Sequence, residues 1–130
     1  MKALKILVID DDESLTAVIQ HILEGEGYDS RAARNALEAD RIFLLFRPGL
    51  VISDLQMPEG SGVDLIRRLR KMDHADFKTI YISGDLDRFR ADLDEERDRY
   101  RVMLLAKPFR RIELLRLVAE SERALAVRAA

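Results

Sequence analysis

The sequence predicts an α/β protein made of five βα units around a parallel sheet, that is, a doubly wound three-layer sandwich. Short apolar runs of strand length alternate with segments in which apolar residues recur at helical spacing. The chain has 130 residues, of which 48% are hydrophobic and 35% charged. Because this size and composition suit one continuous core and exclude intrinsic disorder, we expect a single domain over residues 1–130.

The first two units differ in the polarity of their strands. Residues 4–9 form an apolar, branched run that is typical of a strand buried on both faces. The more polar strand predicted at residues 28–33 is expected at the edge of the sheet. The two helices that follow these strands are expected to turn Leu15, Val18, Ile19, Ile22 and Leu23, and then Ile42, Phe43 and Phe46, towards the core. Gly25 and Gly27 end the first helix, and Pro48 with Gly49 ends the second.

The third unit begins with the apolar strand at residues 50–52, which a turn at residues 57–62 connects to a helix. That helix is predicted to bury Val63, Ile66, Leu69 and Met72. The short run at residues 79–82 supplies the fourth strand.

The last two helices differ in apolar content. Residues 86–100 are dense in charge, and only Leu86, Phe89, Leu93 and Tyr100 recur at helical spacing, so we expect this helix to be loosely held. A fifth strand at residues 102–106 precedes a final helix, whose first apolar residues are Ile112, Leu114, Leu115, Leu117 and Val118. Residues 120–130 either extend this helix or begin a linker.

Composition excludes several classes of function. Without cysteine the chain has no disulfide, thiolate metal site or thiol nucleophile. No apolar run approaches the roughly 20 residues that span a bilayer, and the N-terminus lacks the pattern of a signal peptide, so we expect a cytoplasmic protein. The net charge of -2 argues against direct binding of nucleic acid.

Polar residues follow the ends of four predicted strands. They are Asp10, Asp11 and Asp12 after the first strand, Asp54 after the third, Ser83 and Gly84 after the fourth, and Lys107 after the fifth. The carboxyl ends of parallel strands meet at one edge of the sheet, where such folds bind ligands. Two carboxylates about 5 Å apart repel by roughly 3 kcal/mol at an effective dielectric of ~20. A hard divalent cation such as Mg²⁺ compensates this repulsion, with Asp11 and Asp54 as the predicted direct ligands.

Each of these residues also has a plain structural interpretation. Acidic residues after a strand often cap the next helix, and we expect this role for Asp12 and Glu13. An isolated Asp54 is typical of a turn, Ser83 of a hydroxyl bonded to backbone, and Lys107 of an exposed lysine. Only the combination indicates chemistry.

The segments ILVIDDD (residues 6–12), VISDLQMP (51–58) and KPF (107–109) resemble the motifs of response-regulator receiver domains. The resemblance runs from about Lys5 to the final helix. It implies a flavodoxin-like sheet with strand order 2-1-3-4-5. It also implies that Asp54 accepts a phosphoryl group from a phosphohistidine, in a reaction that depends on Mg²⁺.

The resemblance assigns the other roles residue by residue. It makes Asp11 a direct ligand of the metal and lets Asp10 bind the metal through a water molecule. The backbone carbonyl of Gln56 is a further ligand. Lys107 is expected to reach the phosphoryl oxygens and Ser83 to bond one of them, while the small Gly84 leaves the group accessible. The family also has a cis peptide at Lys107–Pro108.

The sequence departs from the family at the position three residues before Lys107. Receiver domains usually have an aromatic residue there, whereas this chain has Leu104. Either Leu104 packs in the core, which we favour, or it is a substituted switch residue. Gln56 and Asp85 occupy places that affect hydrolysis of the acyl phosphate, although Asp85 also suits an exposed helix start.

The resemblance thus predicts a phosphoacceptor signalling domain rather than an enzyme. Phosphorylation is expected to switch the surface formed by the fourth helix, the fifth strand and the final helix. The expected partners are a histidine kinase or histidine phosphotransfer protein, and an output domain or a second copy. Two alternatives are a pseudo-receiver that only binds proteins and a magnesium-dependent aspartyl-phosphate phosphatase, which usually needs a second acid where Gln56 stands.

Overall fold

The computed structural model describes residues 3–58, 60–72 and 76–129, with side chains up to residue 127. The ends of the predicted domain, residues 1, 2 and 130, lie outside the described residues, as does part of the predicted turn at 57–62. The elements are, in chain order, β1 (Lys5–Ile9), α1 (Glu13–Gly25), β2 (Asp29–Ala33), α2 (Ala36–Phe46), β3 (Leu50–Asp54), β4 (Gln56–Met57), β5 (Gly60–Ser61), α3 (Gly62–Lys71), β6 (Lys78–Ser83), a 3-10 turn (Asp87–Phe89), α4 (Arg90–Tyr100), β7 (Met103–Ala106) and α5 (Arg111–Ala129).

The main sheet has five parallel strands in the order β2-β1-β3-β6-β7. The two-residue strands β4 and β5 pair only with each other, so the predicted order 2-1-3-4-5 is confirmed. The polar strand β2 lies at the edge, as predicted. In register, Asp54 of β3 pairs with Ile82 of β6, and Ser83 pairs with Ala106 of β7. The carboxyl ends of the strands therefore meet at one edge.

Helices cover both faces of the sheet. One apolar cluster joins residues of α2, α3 and α4 to the sheet, and a second joins residues of α1 and α5 to the other face. Successive β1 residues alternate between these clusters, since Leu7 and Ile9 belong to the first and Ile6 and Val8 to the second. The apolar run of β1 is thus the consequence of burial on both faces, as predicted.

Several local predictions were inexact. Val18 was predicted to be buried, but its exposure is 54%, because it lies at the boundary of the apolar face of α1. The turn after β3 contains the short antiparallel pair β4–β5, and α3 begins at Gly62. Leu86 and Phe89 precede α4 around the 3-10 turn, and Tyr100 is 42% exposed at the end of α4.

Within the described ranges, none of the helices combines the length and the apolar character that crossing a bilayer requires.

Candidate functional site

Asp10 lies directly beyond β1 and is almost completely buried. One carboxylate oxygen accepts the backbone N–H of Asp12 at 3.0 Å, and the other accepts the ammonium of Lys107 at 3.1 Å. Burial raises the pKa of the Asp10 carboxyl above its ordinary value and Asp54 adds to this, while the bonds from Asp12 and Lys107 oppose the shift. Asp12 caps α1 by accepting the N–H of Leu15, in agreement with its predicted structural role.

Asp11 and Asp54 complete an acidic cluster with Asp10. One carboxylate oxygen from each of the three residues lies within 4.8 Å of the others. Asp10 and Asp54 are buried and Asp11 is exposed, so the cluster is open to solvent on one side. Three hard oxygen donors with one open side fit a small divalent cation, which keeps several waters in such sites.

Lys107 brings a positive charge to the cluster from the residue after β7. Its ammonium lies 3.1 Å from Asp10 and 3.5 Å from Asp54. Burial by itself lowers the pKa of Lys107, but the bond to Asp10 and the attraction of both carboxylates outweigh it and raise the pKa. The backbone N–H of Lys107 donates to the carbonyl of Ser83 at 2.8 Å, and the Lys107–Pro108 peptide is cis.

Ser83, Gly84 and Asp85 form the end of β6 and the start of its loop. The Ser83 side chain is buried, and its hydroxyl accepts the N–H of Asp85 at 2.9 Å. Gly84 and Asp85 are exposed, and the Asp85 carboxylate accepts the N–H of Arg88 at 3.3 Å. Ser83 can still donate its own proton to a ligand at the edge of the sheet.

Residues on both sides of Asp54 hold its carboxylate and its backbone carbonyl in place. The N–H of Gln56 donates to the Asp54 carboxylate at 3.3 Å, and the Ser53 hydroxyl donates to the Asp54 carbonyl at 3.0 Å. Gly62 at the start of α3 lies so close that an added Cβ would be 2.1 Å from that carbonyl. The sequence predicts Gly62 only as part of a turn, and its close contact with the Asp54 carbonyl is not visible there.

Leu104 lies opposite Tyr81 in the register of β7 and β6. It is partly buried and packs against the apolar cluster on the α3 and α4 side of the sheet. This placement agrees with the interpretation of Leu104 as a packing residue, and the neighbouring strand supplies an aromatic residue beside it.

Comparisons with known proteins agree with this fold and with the position of the acidic cluster at the carboxyl ends of the strands. The family model described as "Response regulator receiver domain" matches residues 6–119. Sporulation initiation phosphotransferase F of Bacillus subtilis is 29% identical over 107 residues, which cover 81% of this chain and 82% of that protein. The DNA-binding response regulator MtrA of Mycolicibacterium paratuberculosis is 39% identical over 66 residues, or 51% of this chain and 29% of that protein.

Among solved structures, a response regulator receiver protein from Pseudomonas putida is 35% identical, with a TM-score of 0.77 over 92% of this chain and 98% of that one. The family match covers nearly the whole chain and contains every residue of the acidic cluster together with Lys107. This chain therefore belongs to the family of receiver domains of two-component response regulators.

Proposed function

We propose that Asp54 accepts a phosphoryl group from a phosphohistidine, in a reaction that requires Mg²⁺. The observation that carries this proposal is the convergence of Asp10, Asp11, Asp54 and Lys107 at one edge of the sheet. The similarity to sporulation initiation phosphotransferase F of Bacillus subtilis supports it. The chain then acts as a phosphoacceptor signalling domain and not as an enzyme that turns over substrates.

The chemistry requires little beyond position and charge. A carboxylate oxygen of Asp54 forms a bond to phosphorus while the bond between phosphorus and the histidine nitrogen breaks, and the imidazole leaves with the electron pair. The carboxylate is ionised at neutral pH and needs no general base. Positioning and neutralisation of the transferring oxygens provide most of the catalysis in such reactions.

The surrounding residues divide this task. Mg²⁺ would be held by Asp11, Asp54 and the backbone carbonyl of Gln56, and Asp10 would bind it through a water molecule. The ion would neutralise charge on the phosphoryl oxygens. Lys107 moves from its bridge between Asp10 and Asp54 to the phosphoryl group. Ser83 donates its hydroxyl proton to a phosphoryl oxygen, and Gly84 leaves space for the group.

The partner that supplies the phosphoryl group docks, in this proposal, in an apolar groove beside Lys107. The groove has a volume of about 390 Å³ and lies between α1 and the loop before α5. Its lining consists of Leu15, Val18, Ile22, Lys107, Pro108, Phe109 and Arg111. Because Lys107 lines both the groove and the acidic cluster, a helix of a histidine kinase or phosphotransfer protein seated here places its histidine near Asp54.

Phosphorylation adds negative charge at the edge of the sheet and, we propose, shifts the surface formed by α4, β7 and α5. That surface would then bind an output domain or a second copy of the chain. A cytoplasmic location and a single domain over residues 1–130 are part of the same proposal.

The decisive experiment incubates the chain with Mg²⁺ and either acetyl phosphate or a phosphorylated histidine kinase, and records the intact mass. We expect a gain of one phosphoryl group that mild alkali removes, and no gain in EDTA or in the Asp54→Asn variant. Asp12→Asn makes the same change of charge beside the site and keeps a good helix cap, so it should retain the gain. No gain in the wild type with either donor would contradict the proposal and favour a pseudo-receiver.

Val18→Asp tests the docking groove. Val18 is 54% exposed, so a charge there leaves the core intact but disfavours contact with an apolar partner. We expect the rate of transfer from a phosphorylated histidine kinase to fall about tenfold, with the rate from acetyl phosphate unchanged. Val127→Asp, at an exposed valine in α5, is the matched control. Equal rates of kinase transfer in both variants would exclude this groove.

A further inference from the structure

Helix α4 buries one apolar residue and one acid against the rest of the domain. Among its residues only Leu93 and Glu96 are buried, and the others are exposed. The Glu96 side chain is 1% exposed although it carries a carboxylate. An unpaired buried carboxylate is costly, so its partners determine where α4 can lie.

Among the residues that the structure describes, all the hydrogen-bond donors to Glu96 come from elements outside α4. One oxygen accepts the Tyr81 hydroxyl and the Arg70 guanidinium, both at 2.7 Å, and the other accepts Arg67 at 3.3 Å. Tyr81 belongs to β6 in the centre of the fold, and the two arginines belong to α3. A displacement of α4 must therefore stretch or break bonds to a charged group, which are stronger than neutral ones.

Tyr81 also lies in the strand that ends at the phosphorylation site. Ser83 follows it by two residues, so both side chains lie on the same face of β6. The Ser83 hydroxyl accepts the N–H of Asp85, at the start of the segment that leads into α4. A change at Ser83 thus reaches the beginning of α4, while Tyr81 and Glu96 hold its middle.

Tyr81 is the only aromatic residue in β6 and β7. The residue opposite it in β7 is Leu104. Leu104 has no hydroxyl and cannot bond to α4. We propose that the Tyr81–Glu96 hydrogen bond holds α4 in its unphosphorylated position and breaks when a change at Ser83 reaches the start of the helix; we call this contact the relay. This proposal rests on the proposed function, because phosphorylation of Asp54 is the event that the relay transmits.

The relay works by exchange of hydrogen bonds. In this proposal the Ser83 side chain rotates when it donates to a phosphoryl oxygen, its own oxygen moves away from the N–H of Asp85, and the segment before α4 shifts. The shift carries Glu96 away from the Tyr81 hydroxyl, which stays with β6. Because Glu96 must then find water or rearranged arginines, α4 has two discrete positions.

Amide hydrogen exchange of α4 measures the relay directly. In the wild type we expect exchange of the α4 amides to accelerate when beryllofluoride and Mg²⁺ are added as a stable phosphoryl mimic. In Tyr81→Phe, which lacks only the hydroxyl, we expect about tenfold faster exchange already without the mimic and little further increase with it. Glu96→Gln keeps an acceptor for the Tyr81 hydroxyl, so the exchange rates of its α4 amides should lie between those of the wild type and those of Tyr81→Phe.

Tyr28→Phe is the matched control, because it removes a hydroxyl that donates to the exposed Glu122 on the other side of the domain. It should keep the full response of the wild type. If Tyr81 merely stabilised the fold, Tyr81→Phe would raise the basal exchange but leave the increase with the mimic intact, and the relay would be refuted. Intact mass after acetyl phosphate is recorded for each variant. A wild type that gains no phosphoryl group overturns the proposed function as well, whereas a phosphorylated Tyr81→Phe with a normal α4 response overturns the relay alone.

Discussion

Replacing Gly62 with alanine is expected to lower the free energy of unfolding by about 2–3 kcal/mol, as overpacking of a tight contact does. The new Cβ would lie 2.1 Å from the Asp54 carbonyl oxygen and 3.0 Å from the Ser53 hydroxyl oxygen. The N–H of Gly62 also donates to the carbonyl of Leu55 at 2.8 Å, so α3 cannot withdraw without losing that bond. Backbone must move, and the nearest backbone is that of the proposed phosphoacceptor.

The same substitution should impair phosphorylation more than it impairs folding. A displacement of about 1 Å at a reacting group can cost a hundredfold in rate. We therefore expect folded Gly62→Ala to accept a phosphoryl group from acetyl phosphate about a hundredfold more slowly than the wild type. Urea denaturation and the time course of intact mass measure the two effects separately.

Gly25→Ala provides the control for Gly62→Ala. An added Cβ at Gly25, the last residue of α1, meets no atom within 4 Å. Since alanine is favoured over glycine in a helix, this variant should be as stable as the wild type or slightly more stable. If Gly62→Ala unfolded at the same urea concentration as Gly25→Ala, the close contact with Asp54 would be refuted.

Replacing Arg70 with methionine is expected to lower the free energy of unfolding by about 3 kcal/mol, the low end of the cost of removing one partner from a buried ion pair. The Arg70 side chain is 12% exposed and donates to Glu96 at 2.7 Å. Its guanidinium also lies 3.6 Å from the centre of the Tyr100 ring. Arg67 and Tyr81 remain bonded to Glu96 in the variant, which keeps the loss at the low end.

Arg68→Met is the matched control, since it removes the same charge from the same helix. Arg68 is 48% exposed and pairs with Asp40 at 2.8 Å, so its loss should cost about 1 kcal/mol or less. Chemical denaturation gives the free energy of unfolding of each variant, and the two values can be compared if the m-values are the same. Adding Glu96→Leu to Arg70→Met should restore part of the stability, because it removes a buried carboxylate that has lost one of its two cations. Equal losses in Arg68→Met and Arg70→Met would contradict the buried pair.

The sheet was predictable because its strands are buried in different degrees. β1 is apolar on both faces and β2 is polar, so composition identified β2 as an outer strand, whereas the other outer strand, β7, is apolar and has no such signal. The residues of the site were predictable for a different reason. The carboxyl ends of parallel strands meet at one edge of the sheet whatever the details of the packing, so the polar residues that follow them lie together. Val18 was misplaced because helical spacing defines an apolar face but not its exact boundary.

The buried Glu96 was not predictable. In the sequence it is one of several charged residues of α4, and its neighbours along the helix are exposed. Its burial depends on Tyr81, Arg70 and Arg67, which are 15, 26 and 29 residues away. No local pattern records such distant partners, so a helix that was expected to be loosely held proved to contain a charged anchor.

Local composition and motif spacing were sufficient to predict the order of strands and helices, the family, and the acidic and basic residues that follow the strands. Other features became visible only in the folded chain: Lys107 bridges Asp10 and Asp54, Gly62 lies against the Asp54 carbonyl, and Glu96 accepts bonds from three donors. Lys107 is 97 residues from Asp10, and Glu96 is 15 to 29 residues from its donors, so no local sequence pattern encodes these contacts. The contact of Gly62 depends on how closely the start of α3 approaches the end of β3.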